Sequence, residues 1–199
     1  MYGVEVLAAA AAPITAAALR GRLRLNDSAE DLDLDEFLAA AVERFETDTG
    51  RPVLATSYRQ TLSKWPCGPI VLGRGGVSAV SAVKRYLADG STETLAADQW
   101  RADLVTPPAR VALASTPAAV TTAAGIPVSP VGCVEFVAGW STAAAVPKLV
   151  RTALMLLAAH WYENREAWRD SAFEMRELPD GWRAVVSRFK VGISGAWGQ

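Results

Sequence analysis

The sequence predicts an α+β fold: a small helical bundle with an inserted antiparallel β-rich portion and an extended C-terminal tail. Three observations carry this. Apolar residues recur at helical spacing before about residue 50 and again after about residue 147. The stretch between them is rich in Thr, Ser, Val, Gly and Pro in short runs. No strand–helix alternation recurs, so helices and strands are segregated along the chain.

The expected order begins with a helix over residues 14–25, opened by Pro13 and Thr15 and broken by Asn26-Asp27-Ser28. A second spans 34–49. There Leu34, Phe37, Leu38, Ala41, Val42 and Phe45 fall three and four apart and make an apolar stripe. Asp33, Asp35 and Glu36 sit at its start, where acids favour the positive end of the helix dipole. Gly50 ends it and Pro52 blocks continuation.

From 53 to 137 the signals are strand-like. Tyr58, Leu62 and Trp65 mark one segment, and Ile70-Val71-Leu72 is a short apolar run between Gly68-Pro69 and Gly73. Val83–Leu87 and Thr92–Leu95 flank Ala88-Asp89-Gly90-Ser91, a hairpin turn with Asp-Gly at its centre. Trp100–Val105 and Arg110–Leu113 are separated by Pro107-Pro108, which no central strand accommodates. Ser115–Pro130 reads as a long loop, and Val131–Val137 closes the sheet.

A third long helix spans 147–169, opened by Pro147, with Leu149, Ala153, Leu156, Leu157, His160 and Trp161 on its expected apolar face. The domain reading is therefore a body over 1–169 and an extension over 170–199. Within the extension, 180–189 fits a short helix, with Trp182, Val185, Val186 and Phe189 on one face.

Composition narrows the function. The formal net charge is −1, which argues against a dedicated nucleic-acid binder. No apolar run reaches the ~18–20 residues needed to span a bilayer. No basic n-region precedes the apolar Leu7–Pro13 stretch, so no secretory signal is expected. Cys67 and Cys133 are far apart and form neither a CxxC pair nor a zinc pattern, so both are expected as reduced thiols. His160 is the single histidine, and any Ser-His-Asp or Cys-His chemistry must use it. It stands among Leu, Ala and Trp, as a packing histidine does. Gly73-Arg74-Gly75-Gly76 lacks the Lys-Ser/Thr of a phosphate loop and reads as a turn. The carboxylates from Asp27 to Glu36 lack the glycine and closing Glu of a calcium loop. No catalytic residue, cofactor or metal is expected.

Two groups remain as interaction candidates. Asp31, Asp33, Asp35 and Glu36 read as a solvated acidic helix start or as a docking patch for a basic partner, which the resemblance described below makes a neighbouring subunit. Trp182, Arg183, Arg188, Phe189, Lys190 and Trp197 lie in a stretch with three cations and no acid. Trp and Arg are favoured at interface hot spots, so this stretch is expected first to dock on a protein partner, with a short helix packed on its own domain and stacking on single-stranded nucleic acid as the alternatives. On that view, removing 181–199 abolishes docking and leaves the fold intact.

The order of elements resembles the head–tail connector (adaptor) family of long-tailed phages and gene transfer agents. Four stretches carry the resemblance: Thr49-Gly50-Arg51-Pro52-Val53 running into Tyr58–Leu62; Gly68–Leu72 followed by Val80–Leu87 and Asp89-Gly90; Val134–Trp140 leading to Val146-Pro147; and Ala158–Glu166. The resemblance implies a non-enzymatic virion protein at the head–tail junction, present in the host cytoplasm during assembly. It further implies a homo-oligomeric ring, usually of twelve, docked on the portal protein. A stopper or tail-terminator protein attaches below, and DNA crosses the lumen without sequence-specific binding; no membrane is involved. Two alternatives stand beside it: another neck or tail-completion protein, and a small hydrolase using Cys67 or Cys133 with His160.

Overall fold

A computed structural model describes residues 2–8, 12–164 and 181–191. The described elements are helices and antiparallel strands, the α+β class expected. The chain divides into two compact units: one comprises Ala55–Gly139 with the N-terminal strand, the other Ala11–Leu54 with Trp140–Lys190.

In the helical unit, α1 (Ala16–Leu23) and α2 (Asp31–Thr49) precede the sheet in sequence; α3 (Lys148–Glu163) and α4 (Gly181–Phe189) follow it. The acids at the start of α2 explain why it begins before the apolar stripe. Asp31 takes a bidentate ion pair from Arg20 Nη1 at 2.9 and 2.7 Å, and Asp35 Oδ1 accepts from the Ala16 backbone N–H at 3.1 Å. These two acids tie α1 to α2. At its other end α2 stops at Gly50, whose φ of 69° is left-handed backbone that glycine adopts freely. Thr49 Oγ1 donates to the Phe45 carbonyl at 2.7 Å, and Glu46 Oε1 accepts from Val53 N–H at 2.7 Å. The Arg51 guanidinium lies 4.1 Å from the centre of the Trp140 ring. The Thr49–Val53 stretch is thus a fixed corner.

The core of this unit contains Leu19, Leu34, Leu38, Ala41, Phe45, Val150, Leu154, Leu157, Trp182 and Val185. On α2 the expected stripe is the one buried, with Phe37 and Val42 only partly covered. On α3 the buried stripe is rotated from the expected one. Val150, Ala153, Leu154, Leu157 and Ala158 face inward, while Leu149 and Leu156 stay 45% and 41% exposed. The helix is apolar nearly all round, so spacing alone does not choose its inner face. Of the helix expected over 147–169, residues 165–169 lie outside the described residues, as do 170–180 of the extension.

The β unit holds two antiparallel sheets. The larger has the order β1-β2-β8-β4-β5, built from β1 (Tyr2–Ala8), β2 (Thr56–Leu62), β8 (Gly132–Ala138), β4 (Val77–Tyr86) and β5 (Thr92–Thr94). The smaller has the order β3-β7-β6, from β3 (Ile70–Val71), β7 (Arg110–Leu113) and β6 (Trp100–Asp103). β1 is an addition to the sequence reading, which assigned no strand there. It pairs antiparallel with β2, Val4 opposite Gln60 and Val6 opposite Tyr58. Inward residues alternate strictly along β2: Thr56, Tyr58, Gln60 and Leu62 are buried. Tyr58 stacks on Phe136 with ring centres 5.7 Å apart, in a core with Leu62, Ile70, Leu72, Val83, Val111 and Val134. At the expected Asp-Gly turn Gly90 has φ 83°, and Asp89 Oδ1 accepts from the Ser91 backbone at 2.9 Å and from its hydroxyl at 2.6 Å.

Candidate interaction surfaces

The α2 helix turns a stripe outward. Leu32, Glu36, Ala39, Ala40 and Glu43 lie three or four apart and are exposed, with Asp33 beside them. Leu32 is 80% exposed. Of the four acids singled out by sequence, Asp31 and Asp35 serve α1, whereas Asp33 and Glu36 face outward. Among the described residues no ion pair involves Asp33, Glu36 or Glu43. The sequence patch is therefore divided in two, and its outward part extends to Glu43.

Helix α4 packs on its own unit. Trp182 is buried, its ring edge-on to Phe45 at 6.2 Å between centres. Its Nε1–H donates to Asp48 Oδ2 at 2.9 Å, the same oxygen that takes Arg44 Nε at 2.9 Å. Phe189 meets Phe45 and Trp140, with centres 6.3 and 5.9 Å apart. The apolar side of the helix is thus consumed in the core. Arg183, Arg188 and Lys190 remain exposed, and Trp197 lies outside the described residues. One consequence corrects an expectation: deleting 181–199 strips Trp182 and Val185 from the core, so that cut does not spare the fold.

A second polar surface covers the outer side of the large sheet. Glu135 on β8 takes Arg59 Nη2 at 2.9 Å and Lys84 Nζ at 2.8 Å, and Arg59 also reaches Glu5 at 3.0 Å. Lys84, and then Arg59, hold the Glu135 carboxyl below the usual carboxylate range against the opposing effect of burial. The row alternates in sign across four strands and satisfies itself.

His160 Nδ1 lies 3.3 Å from Nδ2 of Asn164, the residue that caps the end of α3. Cys67 is exposed and Cys133 buried, both as free thiols; burial pushes the Cys133 thiol pKa up, away from the thiolate a nucleophile requires. In the Gly73–Gly76 turn, Gly73 N–H donates to Gln60 Oε1 at 2.8 Å, and the Gly76 carbonyl accepts from Gly139 N–H at 2.9 Å. The turn is braced by the sheet. Among the described residues no cluster of His, Cys, Asp and Glu is arranged to hold a metal ion. No described helix is long and apolar enough to cross a membrane.

No protein-family model and no curated protein matches the chain. Solved structures do. A chain in the neck of an empty gene transfer agent particle, determined with C6 symmetry, aligns at a TM-score of 0.77 and 26% identity over 98% of both chains. The chain shares that fold. A chain in the neck of the native gene transfer agent particle, with C12 symmetry, gives a TM-score of 0.68 and 26% identity, again over 98% of both. A chain of the native gene transfer agent virion gives 0.76 at 24% identity and the same coverage. The likeness takes in both units, and it is to structural components of a particle.

Proposed function

We propose that this protein is a structural component of the neck of a gene transfer agent or phage-like particle, and specifically the adaptor between head and tail. The observation that carries the reading is the end-to-end likeness to a gene transfer agent neck chain, 98% of each chain at a TM-score of 0.77. A local likeness would speak only for a common subdomain; this one includes the helical unit, the β unit and their order in the chain.

In this role copies of the chain form a ring, in keeping with the six- and twelve-fold symmetry of the neighbouring necks. The ring docks on the portal, holds the stopper or tail below, and leaves a channel for DNA. Such a part needs shape and adhesion rather than chemistry. A chain with a net charge of −1 suits a duplex that passes without being read. Portal docking falls to the C-terminal residues, with Arg183 and Lys190 exposed at the base and Trp197 near the end. The clean cut for testing docking lies after Val191. It leaves α4 in its core together with Arg183 and Lys190, removes Trp197, and should weaken portal binding with an unchanged circular dichroism spectrum.

Deleting the gene in its producing strain and imaging the particles tests the role as a whole. DNA-filled heads beside free tails are the expected result. Normal tailed particles, or heads that never fill, would overturn the adaptor reading.

A further inference from the structure

Two apolar depressions flank the exposed face of α3. One, of about 390 Å³, lies against the start of α1 and is lined by Ile14, Ala18, Met155, Lys148 and Arg151 among others. The other, of about 400 Å³, lies between α3 and α4 and is lined by Leu149, Leu156, Trp182, Val185 and Arg188 among others. Thr152 lines both, so the two adjoin on α3. The charged residues that line them are cations, Lys148, Arg151 and Arg188, and Gly181–Val191 contains no acid. An apolar surface bearing cations calls for an apolar knob accompanied by acids.

The same chain carries that counterpart. The outward stripe of α2 offers Leu32 as the knob, Asp33, Glu36 and Glu43 as the acids, and Ala39 and Ala40 as small residues that permit close approach. The stripe and the depressions share no residue, so one copy can present the first while receiving on the second.

We propose that the outward stripe of α2 in one copy seats on the α3–α4 surface of a second copy. Leu32 enters the depression beside Leu149 and Leu156, and Glu36 and Glu43 meet Arg188 and the cations of α3. The contact is heterologous, so it propagates from copy to copy and closes when its rotation permits. The closed ring rests on the neck reading; the pairwise contact does not.

The test uses the full chain carrying Cys67→Ser, which removes the exposed thiol. Leu32→Cys protein is mixed with Leu149→Cys protein and treated with a short bismaleimide. The expected product is the mixed adduct, well above that formed with Val105→Cys, an exposed position on the β unit. In sedimentation, Glu36→Arg or Arg188→Glu alone should weaken self-association by about tenfold, and the two together should restore most of it. Four outcomes overturn the proposal. They are a chain that stays monomeric to its solubility limit, a mixed adduct no stronger than the control, and a Leu32–Leu32 adduct alone. The fourth is slow modification of Leu149→Cys in dilute monomer, which would mean that the groove is covered within its own chain. The gene deletion is read independently. Free tails without the adduct keep the neck role and reject this contact; the adduct with normal particles does the reverse.

Discussion

Replacing Trp182 by alanine separates a core tryptophan from a docking one. In the structure Trp182 is 3% exposed, lies edge-on to Phe45 and donates to Asp48. Burying an aromatic side chain removes about 150–250 Å² from water, which at ~25 cal/mol per Å² is roughly 4–6 kcal/mol as an upper bound. Measured Trp-to-Ala costs in cores run about 3–5 kcal/mol. A ceiling applies here: α4 has nine residues and is marginal as an isolated helix. Once the anchor is gone the helix undocks, and the loss cannot exceed its docking free energy. A local loss of ~3 kcal/mol or more is expected, and the chain has two units, so a single global midpoint would blur it. Hydrogen exchange resolved to the amides of Val185–Phe189 reads it directly. Trp182→Ala should speed their exchange by over ~100-fold, since each 1.4 kcal/mol is a factor of ten. Trp182→Phe keeps the ring contact and loses only the bond to Asp48, which retains Arg44, so roughly tenfold is expected. Unchanged exchange in Trp182→Ala would refute the packing argument and return Trp182 to the partner-binding residues.

Gln60→Leu should destabilise the β unit by about 2–4 kcal/mol in urea unfolding, because it strands the Val71 carbonyl and the Gly73 N–H that the buried amide now satisfies at 2.9 and 2.8 Å. Gly132→Ala should prevent normal packing of β8, since a Cβ there falls 2.5 Å from both the Lys84 carbonyl and the Trp65 ring; lower thermal stability than wild type is the check. Glu135 has a lowered folded pKa, so its contribution is present above the unfolded value of ~4.3 and is lost as pH falls through the folded value. Glu135→Gln should accordingly be less stable than wild type at pH 7, with the gap closing by pH 3 in parallel melts.

The sequence makes α2 legible because its apolar spacing, its acidic start and its Gly50 stop all agree, and the buried Leu34, Leu38, Ala41 and Phe45 follow the spacing. The Asp89-Gly90 turn is legible for the same reason. β1 is not: its partner residues lie about sixty positions away, Tyr2 opposite Leu62, and its Val6 is more than half exposed at the sheet edge, so no local burial pattern marks it. Gln60 looks like one polar residue among several, and only the fold brings the Val71 carbonyl and Gly73 N–H to it. For the candidate surfaces the sequence identifies the acids and cations but not their allocation. Trp182 and Phe189 suit a partner's pocket and a core equally well in composition; Phe45 and Trp140, far away in sequence, decide it.

That allocation bears on how copies of this chain can meet. Asp31, Asp35, Glu46 and Asp48 are each engaged within their own unit, by Arg20, the Ala16 amide, the Val53 amide, and Arg44 with Trp182. What α2 leaves for its surroundings is therefore of one sign: Asp33, Glu36 and Glu43. Asp48 of α2 is taken by Arg44 and the Trp182 indole, and among the described residues Arg183 and Arg188 of α4, with Lys190 just beyond it, are exposed and carry the opposite sign. The net charge of −1 conceals this segregation. A two-fold contact pairing one α2 stripe with another would set acids against acids, a cost that grows as the patch loses water. The same holds for two α4 faces. A two-fold contact avoids this only where one patch spans both stripes and pairs them reciprocally; a head-to-tail contact pairs the leftover acids with the leftover cations directly. That is the geometry that builds rings and filaments rather than dimers.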